Sequence, residues 1–244
     1  MIVLRLKYQL LNILLLIMAF PVSAQGPVME KKLQLKNGPD LLYSCCKPEG
    51  INKKQPVPLV IALHWGWNQD EPLPEYFSKS FLTGLVLPSF EQSGAMIVAP
   101  DCPSDKWHNE ESEAAVLELM DHIRQKYNID TGQVFITGFS AGGFGTWYMA
   151  SRHPDKFSMA IPVASKPYEK WVEDWKDLPL FIVNGTQDEL FPFAEIEKTV
   201  EVMDNQCAPI KLIKVQGATH YDTGKYISSL KYSLTWFRSV IGER

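Results

Sequence analysis

At 244 residues, with 45% hydrophobic and 21% charged side chains, the chain has the make-up of one globular domain and excludes disorder, collagen-like repeats and coiled coil. Its 24 basic residues against 28 acidic ones, a net charge of -4, count against a nucleic-acid partner, which calls for a basic surface. Four cysteines in so long a chain exclude a disulfide scaffold.

Arg5 and Lys7 are the only charges before Glu30, and the apolar run 10–20 follows them, interrupted only by Asn12. Pro21 then breaks any helix, and Val22-Ser23-Ala24 supplies small residues for a signal peptidase. This order predicts a cleaved signal peptide over 1–24, with export to the periplasm or the medium. A membrane anchor needs about 20 apolar residues, and Pro21, Ser23 and Gln25 end the run too early. Residues 25–244 are expected to form the folded domain.

Within it, 31–36 and 41–46 flank Asn37-Gly38-Pro39-Asp40 and predict a hairpin. The runs 58–64, 95–100, 134–137, 159–164, 180–184 and 210–215 are nearly continuous in apolar residues. Such continuity marks strands covered on both faces, as in a parallel sheet. Helices are expected at 112–127, 142–153, 193–203 and 226–241 between them. Together these predict an α/β fold: one domain, a mostly parallel sheet behind an N-terminal antiparallel hairpin, and helices on both faces. About 15 residues separate the strands near Ala164 and Leu180, too few for a lid domain.

The strand at 134–137 runs into Gly138-Phe139-Ser140-Ala141-Gly142, a G-x-S-x-G sequence, and a glycine-rich helix start follows. Glycines two residues to either side of a serine let strand and helix pack closely around a strained turn. Ser140 is therefore the candidate nucleophile, raised near the positive end of a helix dipole.

A serine needs a base, and five histidines compete. His64 ends a strand. His122 has Glu118 and Lys126 four residues to either side, as a packing or solvated residue would. His153 precedes Pro154 at a helix end and is expected to cap carbonyls. His108, beside Trp107, is placed to border a pocket. Only His220 follows the last strand, where a parallel sheet presents its loops to a ligand, so it is the favoured base. Asp188, after the strand 180–184, is the favoured orienting acid; Glu189 and Asp222 are its competitors. The order serine, acid, histidine is that of one particular fold.

The segments PLVIALHWGW (58–67), VFITGFSAGGFGTWYMASRHPDKF (134–157), LPLFIVNGTQDELFP (178–192) and VQGATH (215–220) carry that likeness. The chain resembles the α/β-hydrolases, in the secreted esterase branch of feruloyl esterases, polyhydroxybutyrate depolymerases and phospholipase/carboxylesterases, from about residue 30 to its end. The resemblance implies a serine esterase that cleaves carboxylic esters through an acyl-enzyme. In it Ser140 attacks, His220 moves the proton and Asp188 orients the imidazole. It also implies backbone oxyanion donors at Ala141 and Gly66. Relatives carry His-Gly-x-Gly where this chain has His64-Trp65-Gly66-Trp67, so Trp65 N–H is the second candidate donor.

Trp65, Trp67 and Trp107 are candidate substrate-binding aromatics; Trp171 and Trp175 read either as a core stripe or as binding surface. No metal and no organic cofactor is implied. The expected partner is a small-molecule or polysaccharide-linked ester, carbohydrate or phenolic, with no nucleic acid and no membrane beyond export. The cysteines lie on opposite faces or opposite edges of the predicted sheet, so no essential disulfide is expected. The competing functions are a peptidase of the prolyl oligopeptidase type and a non-catalytic binding protein on a hydrolase fold.

Overall fold

Apolar residues on both sides of a strand demand cover on both faces, and the central strands of this chain receive it. The computed structural model describes residues 25–51, 54–173, 175, 177–203 and 208–242; the leader 1–24 and Cys207 lie outside the described residues. Eight strands form one sheet: β1 (Met29–Gln34), β2 (Asp40–Cys46), β3 (Val57–Leu63), β4 (Met96–Pro100), β5 (Ile129–Phe139), β6 (Met159–Val163), β7 (Leu180–Gly185) and β8 (Ile210–Val215). Their order across the sheet is β1-β2-β4-β3-β5-β6-β7-β8. The β1–β2 and β2–β4 pairs are antiparallel, and every later pair is parallel.

Alternation along β3 shows how the layers divide. Leu59, Ile61 and Leu63 face one apolar cluster, which contains Ala115, Leu119 and Ile123 of α3 (Glu110–Lys126), Trp147 of α4 (Ala141–Arg152) and Ile196 of α5 (Phe193–Met203). Val60 and Ala62 face the other, with Phe81, Leu85 and Phe90 and, from α6 (Ile227–Gly242), Leu230 and Phe237. Asn109 caps α3 by accepting from Ser112 N–H at 2.9 Å. Acidic residues open that helix and Arg124 and Lys126 close it, matching its dipole.

Two local features depart from the expectation. The first strand begins and ends two residues early; past its end Lys36 N–H turns away from the ladder and donates to the Glu118 carboxylate of α3 at 3.0 Å. A helical stretch at 78–90, absent from the sequence reading, covers one face as α1 (Ser78–Phe81), a π-helical turn (Leu82–Val86) and α2 (Leu87–Phe90). The π turn disturbs the 3.6-residue period and Pro88 discourages a helix, so periodicity conceals it. Buried Asp101 receives Ser78 N–H at 2.8 Å and anchors its start.

His153 does not cap carbonyls with its ring, as the sequence suggested. Nε2 lies 2.6 Å from Glu113, whose carboxylate also receives Tyr148 OH and Arg152 Nε at 2.7 Å each. Burial opposes ionisation of Glu113, but hydrogen bonds from Arg152, Tyr148 and His153 outweigh it and hold its pKa below the ordinary value. This buried carboxylate ties α3 to α4, the helix that carries the serine turn. Cys45, Cys46 and Cys102 are buried free thiols; burial pushes Cys45 and Cys102 up to about 11.

Candidate active site

The turn between β5 and α4 is as tight as its composition suggests. Ser140 sits at φ 56, ψ -116, a backbone conformation that side chains other than glycine avoid. It persists because the Ser140 backbone is anchored on both sides: Ser140 N–H donates to Val163 O of β6, and Phe144 N–H closes the first helical turn on Ser140 O, each at 3.0 Å. A Cβ on Gly138 would stand 2.2 Å from Gly142 O, and one on Gly142 would stand 1.9 Å from Leu63 O. The two glycines are therefore required by close backbone packing.

Three loops at the carboxyl ends of parallel strands meet here. His220, 80 residues from Ser140 in sequence, places Nε2 2.9 Å from Ser140 Oγ. Its Nδ1 lies 3.1 Å and 3.2 Å from the two oxygens of Asp188. A carboxylate only accepts, so the proton sits on Nδ1 and Nε2 is left to accept from the serine hydroxyl. Asp188 Oδ1 also receives Leu190 and Phe191 N–H at 3.0 Å and 2.8 Å, which fixes the carboxylate against rotation. His220 and Asp188 are 3% and 5% exposed, whereas Ser140 is half-buried, so the serine is open to solvent and its two partners are not. Phe139 and Phe191 pack on the imidazole at 5.3 Å and 5.6 Å. Glu189, a competitor for the acid, reaches the backbone N–H of His220 instead. Asp222 receives Thr219 N–H at 3.1 Å and bonds Lys225 at 2.9 Å, and these contacts hold its carboxyl down at about 2.

His64 explains how the loop 64–67 is held. Cys102 N–H donates to Nε2 at 3.0 Å, so the ring proton lies on Nδ1, which donates to Trp65 O at 2.6 Å. In a trans peptide the Gly66 N–H then points away from that carbonyl. The Gly66 backbone passes beside the serine turn, and a Cβ there would lie 3.6 Å from Ala141 Cβ. Trp65 does not disturb this path: its ring packs edge-on against Phe81 at 5.1 Å and Phe139 at 6.4 Å, on the sheet side. Burial pushes the His64 pKa down to about 4. Unfolded, the group takes up its proton below about 6.5, so the unfolded state binds more protons between roughly pH 6.5 and pH 4. Stability should fall as the pH drops through that window, by on the order of 3 kcal/mol from this group. Urea unfolding at steps between pH 7 and pH 4 checks it, and His64→Asn, which cannot titrate, should show a shallower dependence. Equal slopes in the two proteins would contradict the assignment.

The aromatic candidates separate. Trp67 is half-buried, with its ring 5.8 Å from that of His64. Trp107 is 1% exposed and donates Nε1–H to His64 O at 2.9 Å, so, contrary to the expectation from sequence, it is a core residue under the loop and not a substrate contact. Trp175 packs on Trp147 at 5.7 Å and donates to Leu178 O, also in the core. Trp171 joins a row the sequence reading did not assemble: Phe191, Phe144, His108, Tyr168 and Trp171, with neighbouring ring centroids 4.6–6.3 Å apart. The four-residue step from Ser140 to Phe144 was the available signal, since it places both on one helix face. The row starts at His220 and ends at exposed Tyr168. A cavity of about 350 Å³ lies at the amino end of β5, lined by Arg124, Tyr127 and Ile129. It is at the wrong end of that strand to serve Ser140.

The sheet order, the strand–serine–helix turn and the loops gathered at one sheet edge define an α/β-hydrolase. The chain belongs to the dienelactone hydrolase family, whose model matches residues 99–225. It is 34% identical over 123 residues to a poly(3-hydroxyalkanoate) depolymerase C of Paucimonas lemoignei, covering 46% of this chain but only 29% of that protein. It is 24% identical to a probable feruloyl esterase C of Aspergillus niger, over 87% of this chain and 81% of the other. A solved thermostable esterase superposes with a TM-score of 0.71 at 21% identity, covering 87% of this chain and 62% of that one. At that identity the superposition speaks for the fold. No described helix is long and apolar enough to cross a membrane.

Proposed function

We propose that this protein is an exported serine hydrolase that cleaves carboxylic esters, with residues 1–24 as a removed leader and 25–244 as one catalytic domain. The observation that carries the reading is the continuous chain Asp188–His220–Ser140, with Nε2 2.9 Å from Oγ and Nδ1 on the carboxylate. His220 takes the Ser140 proton as Oγ attacks the ester carbonyl, and Asp188 keeps the imidazole in the required tautomer and stabilises the imidazolium. Negative charge grows on the carbonyl oxygen, where Ala141 N–H and Gly66 N–H are the intended donors, each worth about 10²–10³ in rate. His220 then protonates the leaving alcohol. Water, activated by the same imidazole, attacks the acyl-enzyme and releases the acid.

The substrate class we favour is a phenolic or carbohydrate-linked ester. The aromatic row from Phe191 to Tyr168 supports it, because rings beside a nucleophile take a planar aryl group or the apolar face of a sugar. The relatives named for feruloyl esters point the same way. A fluorophosphonate should label the purified protein at Ser140, and methyl ferulate, acetylated xylan and p-nitrophenyl acetate should rank the acyl and alcohol preferences. Labelling at another residue, or none, together with no turnover of any ester, rejects the reading.

A further inference from the structure

We infer that Glu189 is a positioning residue for His220, so that two adjacent carboxylates grip one histidine at two points. This rests on the proposed serine-hydrolase reading and adds a residue to it. The loop 216–222 between β8 and the turn at Thr223–Tyr226 has no regular backbone pairing of its own, yet it carries the proposed base. Its shape comes from bonds to neighbouring groups. Gly217 N–H donates to Thr186 Oγ1 at 2.9 Å, and Ala218 O accepts from Gln187 N–H at 3.0 Å. Thr219 N–H goes to Asp222, and Thr219 O accepts from Tyr226 OH at 3.0 Å.

The backbone of His220 itself is held by Glu189 Oε2, which receives its N–H at 2.9 Å. Asp188 fixes Nδ1 of the same residue. A ring held at one atom still swings as its Cα shifts, because two side-chain torsions lie between them. Fixing both the backbone N–H and Nδ1 determines where Nε2 falls. A displacement of about 1 Å at a reacting atom costs on the order of 10²-fold in rate, so such a second anchor carries kinetic weight. Asp188 and Glu189 are consecutive and leave β7 together, so the loop that supplies the orienting acid also sets the register of the histidine loop 32 residues on.

Glu189 is an exposed residue and its bond to the His220 N–H is only partly buried, so the bond competes with water and its loss should cost about tenfold rather than more. The test compares Glu189→Ala and Glu189→Gln with the native protein, reading kcat and KM on p-nitrophenyl acetate, the rate of fluorophosphonate labelling and the melting temperature. The alanine variant should lose about tenfold in both kcat and labelling rate, with KM unchanged. Glutamine keeps an acceptor oxygen at the same reach and should restore both to within about twofold. Alanine kinetics within twofold of native overturn the inference. So does a glutamine variant as slow as alanine, or a change confined to KM. Should the alanine protein not fold, Glu189→Asp, one methylene short of the His220 amide, carries the same expected loss, and native kcat in it overturns the proposal. Undiminished turnover by Ser140→Ala sinks the serine-hydrolase reading instead, so the two failures are distinguishable.

Discussion

Ser140→Ala should abolish ester turnover, with a loss approaching 10⁶-fold in kcat, the scale seen when a triad nucleophile is removed from a serine hydrolase. In the proposed mechanism the imidazole of His220 then has no proton to take, and only the proposed oxyanion donors and substrate binding remain, leaving about 10³–10⁴ over water. The fold should survive, because Ser140 N–H and O make their bonds through the backbone. Strain offers an independent check. At φ 56, ψ -116 any Cβ is unfavourable, so Ser140→Gly should be equally inactive yet more stable than the alanine variant by about 1 kcal/mol. Urea titrations of the two proteins and a progress curve with a chromogenic ester decide it. Alanine retaining even a hundredth of native kcat would remove Ser140 from the mechanism.

The largest structural effect is expected from Gly142→Ala. The added Cβ would stand 1.9 Å from Leu63 O and 2.6 Å from His64 O. Both are backbone atoms at the end of a central strand, so no side-chain rotation relieves the clash. Either α4 moves off the sheet or the end of β3 bends, and the second path displaces the Gly66 loop as well. Overpacking of this kind costs about 1–3 kcal/mol where side chains can yield; against backbone we expect at least the upper figure, with kcat falling in parallel as Ser140 shifts. Gly84→Ala is the control: it is exposed in the π-helical turn, its nearest atom for a new Cβ is 4.0 Å away, and it should leave stability unchanged within about 0.5 kcal/mol. A Gly142→Ala protein as stable as the control would mean that the close approach is not required.

The parts of the site legible in the sequence are those whose geometry is local. Gly138 and Gly142 around Ser140 announce a turn that needs missing side chains, and the strand and helix on either side follow from a run of apolar residues and a proline stop. Phe144 was legible in principle, one helical turn from Ser140. Other residues were misread because their environments are assembled from distant segments. Trp107 lies in a loop by sequence, yet Gly145 leaves it room against Leu63 in the core. His153 stands at a helix end, yet its ring is drawn to a carboxylate 40 residues earlier. The covering segment 78–90 was hidden by its π turn.

Side-chain pattern along the chain was enough to set the strand–helix alternation and the serine turn, because turns and burial periodicity depend on residues within a few positions of one another. Which carboxylate meets which atom of His220 was decided only in three dimensions. Asp188 and Glu189 are neighbours of the same charge, and no local rule separates them. The parallel register of β7 on β8, Gly185 opposite Val215, brings one loop beside the other so that Asp188 reaches Nδ1 and Glu189 the backbone N–H. That pairing spans 32 residues, and its outcome depends on how far each strand extends before it turns, a quantity fixed by the packing of the whole sheet.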